Sequence, residues 1–201
     1  MDDNIIAAND RWRVRLKQDD CSCDDGPREW DNLGTMVCFH KRYTLGDEHS
    51  YDAETALENV LAEHEPDGVW ALPLYLMDHS GISMSTSDDM FRACDSAGWD
   101  WGCVGFIYVA KHAMRHEFPS VRDDKILADK AKEIMQSEVN AYDQYLTGDV
   151  WGYVLEKKCR ECGHWEHEDS CWGYYGHKYA EEEAQRVFDY QVEQEEVEQD
   201  G

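Results

Sequence analysis

Residues 123 to 147 place Leu127, Ala131, Met135, Val139, Tyr142 and Leu146 three or four positions apart, and Gly148 ends the pattern. That spacing lays the apolar side chains along one stripe of a helix of about seven turns. Glycine is the residue best suited to the left-handed conformation just past a helix end. The next segment, "DVWGYVLEKK" (149–158), reads as a strand. A helix of this length, handing over directly to a strand, needs a sheet face on which to bury its stripe.

The other patterns supply strands and helices in irregular order. "RWRVRLKQ" (11–18) alternates basic and apolar residues with period two, which predicts a strand with Arg11, Arg13, Arg15 and Lys17 on one exposed face. "NLGTMVCFHKRY" and "VWALPLYLMDHSG" are rich in strand formers, and "WGCVGFIYVAKH" is a further strand whose glycines point to close packing or a bulge. Between the last two, "SMSTSDDMFRACDSAGWD" reads as a long loop. "SYDAETALENVLAEHEPDG" predicts a helix capped by Asp52, burying Ala53, Leu57, Val60, Leu61 and His64, and closed by Pro66, Asp67 and Gly68.

"YAEEEAQRVFDYQVEQ" predicts an acidic amphipathic helix burying Ala180, Ala184, Val187, Phe188 and Gln191, and residues 195–201 read as a frayed acidic tail. With 201 residues and no linker, the expectation is one α+β domain over 1–201. Its mixed or antiparallel sheet would have about five strands, with about three helices.

Charge narrows the partners. Aspartate and glutamate number 44 against 19 lysines and arginines, a net charge of −25 at pH 7. Such a surface repels phosphates and anionic membranes and attracts basic proteins, so direct DNA binding is not expected. "MDDNIIAAND" lacks the basic and apolar regions of a signal peptide, and no apolar run approaches a membrane span. A cytoplasmic protein is expected.

Eight cysteines in a reducing compartment point to metal ligands or buried thiols rather than disulfides. Cys38, Cys94 and Cys103 sit among apolar neighbours, as core thiols would, while Cys21 and Cys23 offer a second metal contribution. In "CRECGHWEHEDSC" (159–171), Cys159 and Cys162 have the spacing with which a tight turn grips one zinc ion, and Gly163 relieves the turn. His167 and Cys171 complete four ligands, with His164 in competition. The expectation is a structural zinc stapling a hairpin insert over 157–172. Glu161, Glu166, Glu168 and Asp169 around it argue against nucleic-acid reading there.

The common zincin, hydrolase and phosphate-loop signatures are absent from the sequence, which points away from an enzyme. Asp78, His79 and Ser80 cannot act together as adjacent strand residues, because neighbours point to opposite sides. At a strand end, however, Asp78 and His79 would line a pocket with His40 and Asp149, the alternative catalytic set.

"WDNLGTMVCFHKRY" (30–43), "LPLYLMDHSGISMST" (72–86), "VGFIYV" (104–109), "YDQYLTGDVWGYV" (142–154) and "DSCWGYYG" (169–176) occur here in order. In these blocks the chain resembles a family of small bacteriophage and plasmid proteins, from about residue 30 to 176. The resemblance brings no catalytic residues with it. It implies a mobile-element origin, and with the acidity this leads to a counter-defence role inside the infected host cell.

The expected activity is inhibition of a nucleic-acid-binding defence complex by an acidic DNA-mimicking surface, anti-CRISPR ahead of anti-restriction. Asp19, Asp20, Asp24, Asp25, Glu181, Glu182 and Glu183 would supply attraction, and Trp99 and Trp101 the anchors. The alternatives are an enzyme acting on a nucleotide or nucleic acid through His40, Asp78, His79 and Asp149, and a zinc-stapled nucleic-acid-binding module.

Overall fold

The structure, a computed structural model, describes residues 4–20 and 26–199, with the backbone alone at 196, 198 and 199. The strands are β1 (Asn4–Ala8), β2 (Trp12–Gln18), β3 (Thr35–Cys38), β4 (Val69–Asp78), β5 (Ile82–Ser85), β6 (Trp101–Ala110), β7 (Val150–Lys158) and β8 (Trp165–Tyr175). The helices are α1 (Ala56–Glu63), α2 (Asp89–Cys94), α3 (Lys111–Glu117), α4 (Asp124–Thr147) and α5 (His177–Gln199). The architecture is α+β, as the patterns require. The strands form two four-stranded antiparallel sheets, ordered β1-β2-β7-β8 and β3-β6-β4-β5. They belong to two compact units, a terminal one from residues 1–24 and 148–201 and a central one from residues 25–147.

In the terminal unit, the register pairs Val14 with Leu155 and Leu16 with Tyr153. Alternation therefore gathers Trp12, Val14, Leu16, Tyr153 and Leu155 on one face. Helix α5 lies on that face through Ala180 and Ala184, flanked by Val187, Phe188 and Val192. The two alanines are fully buried and small enough to let the helix approach the sheet. On the opposite side, Arg13 donates to Glu156 Oε2 at 2.6 Å, and Arg15 donates to both carboxylate oxygens at 2.8 and 2.9 Å. Arg11 is ion-paired with Glu195, to which the Trp12 indole also donates at 2.7 Å.

The exposed basic face expected of β2 is thereby corrected. Carboxylates distant in sequence reach three of its four cations, and only Lys17 is exposed. Glu195 also ties down the end of α5, which is helical through Gln199 where a frayed segment from 195 was expected.

In the central unit, α4 buries Leu127, Ala131, Met135, Val139 and Tyr142 against Met36, Leu74, Leu76, Met84, Ile107 and Val109. Strands β3 and β6 come so close at Gly105 (φ 156°) that a Cβ there would stand 1.9 Å from the Val37 carbonyl oxygen, and the β4–β6 register shifts beside it. Only glycine fits such an approach.

Helix α1 has Thr55 rather than Asp52 at its N-cap, and the Asp52 backbone carbonyl accepts the Thr55 and Ala56 amides. Its buried side is Ala56 and Val60, packed near Val37 and Tyr108, while Leu57 and Leu61 are 46% and 43% exposed. The expected long loop contains β5 and α2, the latter helped by an Arg92–Asp88 pair one turn apart. Cys94 and Cys103 are exposed, so of the three thiols expected in the core only Cys38 is buried, and burial pushes it up to about 12.

A buried ionic hub locks the unit's entry. Arg28, its side chain 7% exposed, holds Asp47 at 2.7 and 2.9 Å, Glu138 at 3.2 Å and the Gly34 carbonyl at 2.6 Å. Glu138 in turn accepts the Leu33 and Gly34 amides.

Candidate functional site

Strands β7 and β8 form a hairpin closed by residues 159–164, with Lys158 paired to Trp165. The turn is tied by the Gly163 amide to the Cys159 carbonyl at 3.0 Å and the Cys159 amide to the His164 carbonyl at 2.8 Å. Gly163 takes the left-handed conformation the turn needs, at φ 74°. The amides of Cys162 and Glu161, joined by the Cys162 thiol, donate to Cys159 Sγ and hold its pKa below the usual thiol value.

Ligand atoms of Cys159, Cys162 and Glu166 lie within 4.8 Å of one another, a group able to hold a metal ion. The structure does not bring the expected His167 and Cys171 to it. Glu166 and His167 are consecutive strand residues and face opposite sides, and His167 Nε2 lies 3.2 Å from Ser170 Oγ. Cys171 is paired with Tyr153, six positions along β8 from Trp165 or roughly 20 Å at strand rise. The signal for Glu166 was present as a carboxylate four residues after Cys162, hidden among other acidic residues.

Beside the hairpin, Leu155, Glu168, Asp169, Arg186, Val187, Tyr190 and Gln191 line a groove of about 550 Å³. One lining carboxylate, Asp169, accepts from the Tyr153 hydroxyl at 3.0 Å, and the Tyr153 pKa is pushed up to about 12, first by burial and then by that carboxylate. Glu182, Asp189 and Glu193 are exposed along one side of α5, seven and four residues apart. The same side also carries Arg186, which is engaged with Glu183 at 2.6 Å, while Lys178 lies 3.9 Å from Glu182 and Gln185 donates to Asp189 at 2.8 Å. Tyr179 and Tyr190 are exposed on the same helix.

Of the acidic residues expected to attract a partner, Glu181 and Glu182 are exposed and Glu183 is half-buried against Arg186. Asp20 is exposed, whereas the Asp19 carboxylate accepts the Gly173 amide at 3.1 Å. Asp24 and Asp25 lie outside the described residues, as do Cys21 and Cys23.

At one end of the central sheet, His40, Arg42, Asp78, Trp99, Asp100 and Trp101 line a smaller groove of about 300 Å³. Asp78 ends β4 and is ion-paired with Arg42, and the turn that follows contains Ser80 at φ 59°, a strained value for a non-glycine residue. His79 Nδ1 lies 2.8 Å from Asp100 Oδ2, which orients the imidazole and leaves Nε2 for other partners. His40 stacks on Tyr43 with ring centroids 5.0 Å apart.

His40, Asp78 and Asp100 thus share one groove, and the exposed His79 is tied to its edge through Asp100. Asp149 belongs to the terminal unit, where its carboxylate takes the Trp151 indole at 2.6 Å and the first amide of α5 at 3.1 Å. Asp100 was legible only as a neighbour of Trp99 and Trp101, since its pairing with His79 spans 21 residues.

The two tryptophans expected as anchors differ. Trp99 is 87% exposed, held out by a loop in which Asp95 accepts the Ala97, Trp99 and Asp100 amides. Those amides, with that of Asp100 foremost, hold the Asp95 carboxyl below its ordinary value. Trp101 is half-buried, donating to the Asp95 carbonyl at 2.7 Å and lying under Arg92.

Among the described residues no helix is long and apolar enough to cross a membrane. Comparison with protein-family models, with curated proteins and with solved structures gives no match to this chain.

Proposed function

We propose that this chain is a mobile-element counter-defence protein that binds and inhibits a host nucleic-acid-binding defence complex through its acidic surface, a CRISPR effector ahead of a restriction enzyme. The observation that carries the reading is the stripe of Glu182, Asp189 and Glu193 on α5, beside a groove bordered by Glu168, Asp169 and the exposed Tyr190. A basic channel built for phosphates takes a row of carboxylates by the same counterion-releasing attraction, and an adjoining tyrosine supplies apolar contact. Support also comes from the net charge of −25, from cations of β2 and α5 that are already paired, and from the resemblance of the sequence blocks to phage and plasmid proteins. The acidic surface carries this role without the cysteine cluster, whose metal would be zinc and whose contribution would be to the hairpin tip alone.

The test mixes the purified protein with a panel of CRISPR effectors and restriction enzymes and measures target-DNA binding at two salt concentrations. Inhibition that weakens with salt, and that is lost in a Glu182→Lys, Asp189→Lys, Glu193→Lys triple variant, is the expected result. No effect on any effector would remove the reading.

A second reading has an observation of its own: His79, paired with Asp100 at the rim of the groove that His40, Asp78 and Asp100 line, is a carboxylate-oriented imidazole, the arrangement of a general base. It makes the protein an enzyme acting on a nucleotide or nucleic acid. Turnover of such a substrate that disappears in His79→Ala, with folding intact, would favour it over inhibition.

A further inference from the structure

We propose that Cys159, Cys162 and Glu166 form a divalent-cation site of thiophilic character, with zinc as its natural occupant, in which three protein ligands hold the ion and a fourth position stays open to solvent. This goes beyond the partner-binding reading and does not depend on it. It also differs from a closed staple, because the chain delivers three ligands where a structural zinc takes four.

Three features of the hairpin converge on the site. The turn from Cys159 to Gly163 brings the Cys159 and Cys162 thiols within 4.8 Å of each other. Gly163, at φ 74°, and the Cys159–His164 backbone bond fix the same turn without any ion. Glu166 arrives from a different element, set opposite Lys157 by the register of β8 rather than by the turn. Its carboxylate and the two thiols fall within 4.8 Å of one another, the neighbourhood that metal bonds of about 2.0–2.3 Å require of ligands sharing one ion.

The fourth ligand does not come from the remaining candidates. His167 faces the other side of β8, Cys171 lies several residues along the strand, and His164 is outside the group. Cys162 and Glu166 are exposed, so the open side of the ion meets solvent. Two thiolates and a carboxylate also more than neutralise a divalent charge, which weakens the ion as an acid toward bound water. The open position therefore suits exchange of a neutral monodentate ligand such as imidazole, and not hydrolysis.

Cobalt(II) reads both claims, the ligand set and the open position. The full chain, reduced and kept free of oxygen, is titrated with cobalt(II) and followed by thiolate-to-metal charge transfer and the visible ligand-field bands. One equivalent is expected to bind with a two-thiolate signature, and added imidazole is expected to shift the visible bands. Glu166→Gln should weaken binding by at least about tenfold, since losing even an outer partner of a ligand costs that much. Cys159→Ser and Cys162→Ser should abolish the charge-transfer band, while His167→Ala and Cys171→Ser should leave it intact. Circular dichroism reports folding for each variant, and Glu166→Gln, which alters no turn residue, keeps the test decisive if a cysteine variant misfolds. The proposal is overturned if no equivalent binds, if His167→Ala or Cys171→Ser removes the signal, if Glu166→Gln leaves the affinity unchanged, or if imidazole leaves the visible bands unmoved.

Discussion

Helices α4 and α5 are nearly equal in length, 24 and 23 residues, and each packs on a four-stranded antiparallel sheet, yet they are built for different ends. Helix α4 buries Leu127, Met135, Val139 and Tyr142 as well as Ala131, in a unit whose entry is locked by Arg28, Asp47 and Glu138. Among its described side chains helix α5 buries only Ala180 and Ala184 completely, and it turns a carboxylate stripe and two tyrosines outward. Burial of large side chains scales with apolar area, so α4 is a stabilising element and α5 trades part of that stability for an exposed surface. The lesson is that helical periodicity alone does not reveal which helix serves the core and which serves a partner. The size of the buried residues and the placement of charge do.

The contrast can be broken most severely at Arg28. Arg28→Met leaves the partly buried Asp47 and Glu138 without their cation, and urea unfolding should show a loss of about 3 kcal/mol or a little more, the low end for a broken buried pair because backbone amides still donate to both. A smaller loss would mean that the two carboxylates find other partners. The helices themselves are compared next: Met135→Ala in α4 should cost about 3 kcal/mol by thermal or urea unfolding, against about 1 kcal/mol for the half-buried Val187→Ala in α5. Equal losses would erase the distinction drawn between them.

An effect between those two belongs to Glu156, the ionic centre of the terminal sheet. Burial alone would raise its pKa, but hydrogen bonds from Arg13 and Arg15 outweigh that and hold it below the ordinary carboxylate value. Its contribution is therefore present above the ordinary carboxylate range and is lost as pH falls through the lowered folded value. Glu156→Gln should cost about 2 kcal/mol near neutral pH, below the roughly 3–5 kcal/mol of a fully buried pair because the arginines keep some solvent. The gap between variant and parent should close on acidification, and a gap that is constant with pH would show that packing rather than charge is responsible.

Much of the local structure was legible because it depends on neighbours in sequence. The stripe from Leu127 to Leu146 became α4, Gly148 ended it, and the segments 149–158 and 169–176 became parts of β7 and β8. Misreadings fell where the deciding contact was distant. Leu57 and Leu61 fit a helical stripe as well as Ala56 and Val60 do, and packing near Val37 and Tyr108 chose the latter pair. The arginines of β2 looked exposed because Glu156 and Glu195 lie about 140 and 180 residues away. In the candidate sites, Cys159 and Cys162 were evident from spacing, whereas Glu166 was selected over His167 by strand alternation.

By itself the sequence determined the α+β class, the long helix, the acidity and the paired cysteines, since each follows from composition or from intervals of four residues or fewer. The tertiary structure decided that the strands form two sheets, that α5 carries the exposed carboxylate stripe, that His79 meets Asp100, and that Asp149 takes the first amide of α5. Those outcomes rest on register and on which faces bury against each other. Such choices are settled by free energy summed over contacts far apart along the chain, and no short stretch of residues contains them.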